Sequence, residues 1–384
     1  MAEKALTLLI QNKDKLYMPA VKDGVTWELS RKGTPGKLTF TMLRDDTLEF
    51  EEGNIVEMSY GSTNLFKGYI FAHKEDKNGV IQVTAYDQLR YLKNKDIRVV
   101  ENKKASDVIV AICDDYKLVH KTKTKDDSGA QVDTEAICDT HYCITKLRSS
   151  NQTLFDTIQL ALDHTLLYDT DTSGNRVEKM YVLYDDFGVI NLKEIGDIDV
   201  PLLIDAETAQ NFDFESSIDK DTYNRIMLYE DDKDSGQRVW YPSKDSANEA
   251  RWGILSKVES INRRSTVNPW EKSMSMLKRF NAAKKTLSIK GAFGDARVRA
   301  GSRVWVRLNV KDPDVKLQDN KTRFSTDGRT PTGFDPITGN PIYDRGQSYD
   351  EVSAVHMMVE RVRHRWESGN YTMDLTLIGR GVTT

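Results

Sequence analysis

The sequence predicts an α+β fold, mainly β: two related β-barrel domains joined by a small α/β domain, with one further helix and a long loop insertion in the second β region. Three observations predict it. Six short strand-like runs fill the first hundred residues, helical periodicity sets in near residue 98, and strands return from about residue 205 in a pattern that echoes the first set. A chain of 384 residues, at about 150 residues per domain, has room for two or three cores. The expected divisions are 1–97, 98–204 and 205–384.

The first region reads as ALTLLI, GVTWEL, KLTFTML, NIVEMSY, LFKGYIFAH and GVIQVTAYD, runs rich in β-branched and aromatic residues. Turn chemistry separates them at Gly33-Thr34-Pro35-Gly36, Glu52-Gly53-Asn54 and Lys77-Asn78-Gly79. Asn78-Gly79 suits a tight hairpin, because both residues tolerate positive φ.

In the second region Ser106-Asp107 caps an expected helix with apolar positions Val108, Ile109, Ile112, Cys113 and Tyr116. Ser150-Asn151 is expected to open another, with Leu154, Phe155, Ile158, Ala161 and Leu162. A hairpin is expected next, strands Leu166 to Tyr168 and Val177 to Tyr184 around Ser173-Gly174. Residues 101–200 carry 11 basic against 19 acidic side chains, whereas the whole chain has 55 against 59. The middle region therefore holds the charge deficit, as a separate domain would.

The third region shows one helix, expected over Pro269 to Lys285, with apolar positions Met274, Met276, Leu277 and Phe280 and with Lys284-Lys285 at its C-terminus. TLSIKG, ARVRAGSRVWVRL, HMMVERVRHRW and YTMDLTLIG are strands. Residues 311–350, punctuated by Gly328, Gly333, Gly339, Gly346, Pro331, Pro336 and Pro341, form an insertion too long for an ordinary connection. FEEGNIVEMSY echoes VRAGSRVWVRL, aligning Gly53 with Gly301, and the two hairpins that follow also match. Either the chain holds two related β domains or common strand patterns coincide.

Net charge is −4, so nothing in the totals supports a phosphate-binding surface, and no specific nucleic-acid partner is expected. Three cysteines, Cys113, Cys138 and Cys143, argue against a disulfide framework and for a reducing compartment. No signal peptide is expected, and no apolar run reaches the ~18 residues of a membrane span.

Catalytic patterns are sought without a candidate. The six histidines are scattered, with no Gly-x-Ser-x-Gly elbow and no Cys-His family signature, and Gly291-Ala292-Phe293-Gly294 lacks the Lys and context of a phosphate loop. Asp169-Thr170-Asp171-Thr172-Ser173-Gly174 opens like a calcium loop but has Met180 where a bidentate Glu belongs. Cys138, His141 and Cys143, with His120 and Cys113 upstream, could bind zinc but match no usual spacing. No cofactor or metal is expected. Arg361, Arg363 and Arg365 alternate with Val362, His364 and Trp366, placing three guanidinium groups on one strand face. That face is either solvated or an inter-subunit or lumen-facing stripe that meets carboxylates.

The N-terminal block carries P-G-x-L at Pro35-Gly36-Lys37-Leu38, E-G-x-x-V from Glu52-Gly53 to Val56, and F-x-G from Phe66 to Gly68. Tyr86-Asp87-Gln88-Leu89-Arg90-Tyr91-Leu92 follows as Y-D-x-L-R-Y-L. With these motifs the chain resembles the XkdQ/YqbQ family of phage tail proteins, over nearly its whole length in domain order. The resemblance implies tube-type β domains and the baseplate hub of a contractile phage tail or phage-tail-like bacteriocin. Such a hub is a homotrimeric ring joining the tail tube, or a tube-initiator protein, to the central spike, among other baseplate proteins. Assembly in the bacterial cytoplasm, then residence in the particle's baseplate, is implied with it, and no enzymatic activity. The alternatives are a tail-associated peptidoglycan hydrolase, with paired carboxylates assembled from distant strands, or a carbohydrate-binding module using Trp240-Tyr241, Trp252 and Trp270.

Overall fold

A computed structural model describes residues 5–125, 131–168, 179–205, 207–219, 221–231, 237–261, 269–307, 321–325, 333–334, 341–342, 349–353 and 355–379. The first β unit comprises β1 (Leu6–Asn12), β2 (Lys15–Tyr17), β3 (Val25–Ser30), β4 (Lys37–Leu43), β5 (Ile55–Tyr60), β6 (Thr63–Glu75) and β7 (Val80–Tyr86). All six strands expected from sequence are present. Alternation drives them: Leu38, Phe40 and Met42 on β4 and Ile81, Val83 and Ala85 on β7 are buried, while their neighbours face outward.

The middle unit begins with a short 3-10 helix, Gln88–Lys93, followed by β8 (Lys95–Lys104), α1 (Ala105–Asp115), β9 (Lys121–Lys125), β10 (Gln131–Glu135), β11 (Cys143–Thr153), α2 (Leu154–Tyr168), β12 (Tyr181–Asp185) and β13 (Ile190–Glu194). Val108, Ile109, Ile112, Leu154, Ile158 and Ala161 share its core. Several expectations are corrected here. Helix α1 starts at Ala105, its cap supplied by the Lys104 backbone N–H donating to Asp107 Oδ2 at 3.0 Å. Ser150 and Asn151 belong to β11, where Asn151 has φ +56° and the register with β8 shifts between Ser149 and Gln152. The α2 capping box is instead Thr153 with Asp156, reciprocal at 3.2 and 3.1 Å. Leu166 to Tyr168 continues α2 rather than forming a strand, and β12 pairs with β13. Residues 169–174 lie outside the described residues.

The third unit comprises β14 (Asp199–Asp205), β15 (Asn211–Ser217), β16 (Arg225–Asp231), β17 (Arg238–Lys244), α3 (Ser246–Trp252), β18 (Ser256–Ser260), α4 (Pro269–Phe280), β19 (Lys284–Phe293), β20 (Arg303–Arg307), β21 (Lys321–Ser325), β22 (Gly333–Phe334), β23 (Pro341–Ile342), β24 (Tyr349–Ser353), β25 (Val355–Glu367) and β26 (Asn370–Ile378). Helix α4 stops at Phe280. Lys284 and Lys285 are strand residues, paired with Ser217 and Ser216, so cross-strand pairing overrides their favourable place at a helix end. Strands β16 to β18 form their own three-stranded sheet with α4 packed on it, inserted between β15 and β19. The described parts of 311–350 pair only among themselves or with Tyr349–Ser353, as β21 with β24 and β22 with β23.

The two β units repeat one strand order. In the first it runs β3-β4-β7-β6-β5-β1, and in the third β15-β19-β26-β25-β20-β14. The match extends to single hydrogen bonds. Gly53 N–H donates to Ile70 O at 2.8 Å and Ile70 N–H to Asn54 O at 2.9 Å; Gly301 N–H donates to Val359 O and Val359 N–H to Ser302 O, both at 2.8 Å. Gly53 and Gly301 have φ of +89° and +92°, a region that favours glycine at this turn. β6 is irregular between Ile70 and Ala72 and β25 between Val359 and Arg361. One pairing differs, since β1 lies antiparallel to β5 but β14 lies parallel to β20.

Among the described residues neither unit closes on itself as a barrel. The units join edge to edge instead, β25 pairing with β3 from Arg361 opposite Ser30 to Trp366 opposite Val25, so that one 13-stranded sheet spans both.

Candidate functional site

The joint between the two β units receives the arginine stripe. Arg361 and Arg363 are exposed and Arg365 half-buried, while Val362, His364 and Trp366 are buried on the other face, as period two requires. Arg363 Nη2 meets Glu28 Oε1 at 2.7 Å across the joint, and Arg365 Nη2 meets Asp374 Oδ2 at 2.7 Å on β26. Arg361 has no ion-pair partner among the described residues. A groove of about 500 Å³ runs along this face, lined by Glu28, Lys37, Lys290, Arg361, Arg363 and Asp374 among others. Glu28 and Asp374 were not singled out from sequence. They sit directly opposite Arg363 in the register, a relation that appears only once strands are paired.

Behind the groove the joint is built from buried aromatic and apolar side chains. Trp27 is buried and stacks on His364 with centroids 4.9 Å apart. His364 Nε2 lies 3.1 Å from Val298 O and the Tyr371 hydroxyl 2.9 Å from His364 Nδ1. That pattern fits a neutral ring with its proton on Nε2, and burial pushes the imidazole down to about 3. At the rim Arg31 Nε meets Glu360 Oε2 at 2.6 Å, with only 8% and 23% of the side chains exposed.

Most of the motif residues meet at a second joint, between the first β unit and the middle unit. Pro35 and Gly36 are buried; Gly36 N–H donates to Asp87 Oδ2 at 2.8 Å, and Asp87 Oδ1 accepts from Leu89 N–H at 3.1 Å, capping the 3-10 helix. A Cβ on Gly36 would lie 2.4 Å from Asp87 Oδ2, and one on Gly68 would lie 2.3 Å from the Tyr86 carbonyl oxygen. Leu89 and Leu92 enter the middle core, whereas Val56 and Phe66 enter the first β core. Tyr91 packs on Tyr69 and Phe71 at 6.0 and 5.9 Å, and Arg90 lies 5.3 Å over Phe71. Gly53 is the turn shared with Gly301. The motifs thus hold two units together.

All three units meet at a buried acid pair. Burial and then the Asp185 charge push Asp87 well above the usual carboxylate range, and burial pushes Asp185 up to about 7. Asp185 Oδ1 accepts from Gly188 N–H at 2.7 Å, while Oδ2 is buried without a partner, as a protonated acid tolerates better than a carboxylate. Arg299, from the third unit, donates to Asp185 O at 2.7 Å and to Asp186 Oδ1 at 2.9 Å. A folded-state pKa above the unfolded value means that this stability is fully present below about pH 4 and is lost as pH rises to about 7. Buried His364 and His356, pushed down to about 3 and about 4, act in the opposite sense. The test is therefore a difference: between pH 5 and 7 the stability of the native chain should fall relative to Asp185→Asn by up to about 1.4 kcal/mol per pH unit. Urea-unfolding midpoints at three pH values measure it, and parallel profiles would refute it.

The remaining candidates stay apart. Cys113 is buried and its thiol pushed up to about 12; Cys138 is half-buried and raised to about 11; Cys143 is exposed. His120 bonds Asp114 and Glu135 at 3.0 Å each. Among the described residues no group of three His, Cys, Asp or Glu side chains is placed to hold a metal, and no helix is long and apolar enough to cross a membrane. Trp240 packs on Tyr229 and Trp270 on Tyr241, in the inserted sheet and α4.

The fold is that of phage tail proteins. A tail protein from Neisseria meningitidis superposes with a TM-score of 0.59 at 10% identity, covering 98% of each chain. The YQBQ-like family model matches residues 25–321, and the chain belongs to that family. The phage-like element PBSX protein XkdQ of Bacillus subtilis is 26% identical over 306 residues, 77% of this chain and 86% of that one. YqbQ of the same organism is 25% identical over 346 residues, 86% and 97% of the two chains. By fold and family this is a phage-tail-type protein.

Proposed function

We propose that the chain is the baseplate hub of a contractile tail, a homotrimeric ring joining the tail tube to the central spike, without catalytic activity of its own. The repeated β unit carries this reading. Two copies of one strand order lie side by side in one sheet, so three chains supply six near-equivalent positions, which adapts a trimer to a tube of six-fold symmetry. Units near 1–97 and 98–204 then build ring and flank. The region 205–384, with β14 (Asp199–Asp205) at its edge, is a second ring unit interrupted by the β16–α4 insertion and by 311–350. Since Arg363 and Arg365 already have partners within the chain, the arginine face is proposed to line the central channel. The chain is proposed to fold in the bacterial cytoplasm and to join tube, spike and other baseplate proteins there. Native mass measurement of the chain assembled with its tail partners should give three copies, and purified protein should leave a peptidoglycan suspension turbid. A dimer, or clearing of the suspension, would contradict the proposal.

A further inference from the structure

The internal joint is a template for an external one. Each unit places its long hairpin strand, β6 or β25, beside a shorter one, β5 or β20, which covers only the first half of its edge. Beyond the irregularity at Val359 and Arg361, β3 covers the second half of β25. Beyond the matching irregularity at Ile70 and Ala72, β7 still pairs with one edge of β6, but no described strand covers the edge that β5 leaves. The counterpart of β3 in the third unit is β15, as Trp27 opposite Leu38 corresponds to Phe214 opposite Leu287. β15 ends the sheet, with its outer edge free among the described strands. One chain therefore presents an unfilled slot on β6 and the strand type that fills that slot on β15.

We propose that β15 of a second copy of this chain pairs antiparallel with β6 in the register of the internal joint. Superposing the two joints sets Ala72 opposite Ser217, His73 opposite Ser216, Lys74 opposite Glu215 and Glu75 opposite Phe214 of the neighbour. Lys74 takes the place of Arg363 and Glu215 that of Glu28, so the internal ion pair is reproduced with charges of the same sign in the same places. Neither Lys74 nor Glu215 has an ion-pair partner among the described residues, and both are exposed. Phe71 and Ile218 replace Glu360 and Arg31, putting an apolar pair where the internal joint has a half-buried ion pair. The seam ends after Glu75, because Asp76 accepts from Asn78 and Val80 N–H in the hairpin turn. Free strand edges invite unspecific pairing, and opposite charges on the two edges restrict these to each other. The seam rests on the ring reading above, but its register can fail alone.

The test is a pair of cysteines at Lys74 and Glu215, in the full chain assembled into tail particles and as purified protein. Residues directly opposite in a ladder have Cβ atoms about 4.5–5.5 Å apart, close enough for a disulfide after small adjustment. Mild oxidation should give covalent multimers ending at three chains, reversed by reductant, at least tenfold more than either single variant or a Lys74→Cys, Asp213→Cys pair two residues out of register. In parallel, Lys74→Glu should cut assembly at least tenfold, and adding Glu215→Lys should restore it. A three-copy ring that forms normally but yields no cross-link, with assembly indifferent to Lys74→Glu, would overturn the seam and leave the ring. Particles that do not contain three copies would overturn both.

Discussion

Replacing Gly68 with valine is expected to destabilise the chain by about 3 kcal/mol or more, the upper range for forcing atoms into a packed interior. The reason is backbone against backbone. A Cβ at this position would lie 2.3 Å from Tyr86 O and 2.5 Å from the Phe66 ring, and the carbonyl belongs to the strand that leads into Asp87. A flexible side chain could turn away; this carbonyl cannot move without shifting β7 and the 3-10 helix that links the first β core to the middle core. Urea denaturation should show the midpoint falling in both units together. An unchanged midpoint would remove Gly68 from the joint.

Trp27→Ala is expected to cost about 3–5 kcal/mol, as large aromatic truncations in cores do. Trp27 is 1% exposed and lies in the first β core, yet its ring stacks on His364 and lies beneath the Arg299 guanidinium at 5.5 Å, both from the third unit. Its loss leaves a cavity at the edge-to-edge joint rather than inside one unit. Amide exchange should therefore rise first along β3 and the Arg361 to Trp366 part of β25. Trp27→Phe, which keeps a ring against His364, should recover most of the loss. Equal protection in wild type and Trp27→Ala would show that the joint does not depend on this stack.

The first β unit was legible because its strands alternate, as in Leu38, Phe40 and Met42 on β4, and glycine marks several of its turns, as at Gly33, Gly53 and Gly79. The repeat was legible for the same reason, since Gly53 and Gly301 mark one turn twice. Strand β11 was not, because CITKLRSSNQT is polar with a bulge at Ser149 to Gln152, and Ser150-Asn151 reads as a cap when the bulge is unseen. Nor was the inserted sheet β16 to β18, whose parallel pair β16 with β18 leaves no hairpin signature. For the candidate site, the arginine face followed from period two alone. Its partners Glu28 and Asp374 did not, since register is set between strands more than 300 residues apart in the case of β3 and β25. The motif residues pointed to a family, but their physical task, fastening Gly36 and Gly68 against Asp87 and Tyr86, lies in close backbone approaches that no spacing displays.

The central claim, a ring built from six β units supplied by three chains, is tested most directly by an image reconstruction of the assembled tail tip. It should show three copies of the chain around the tail axis, the internal β25–β3 joint alternating with a joint between copies, and the Arg361, Arg363 and Arg365 face toward the channel. A chain lying off the axis, or present in any number other than three, would contradict it.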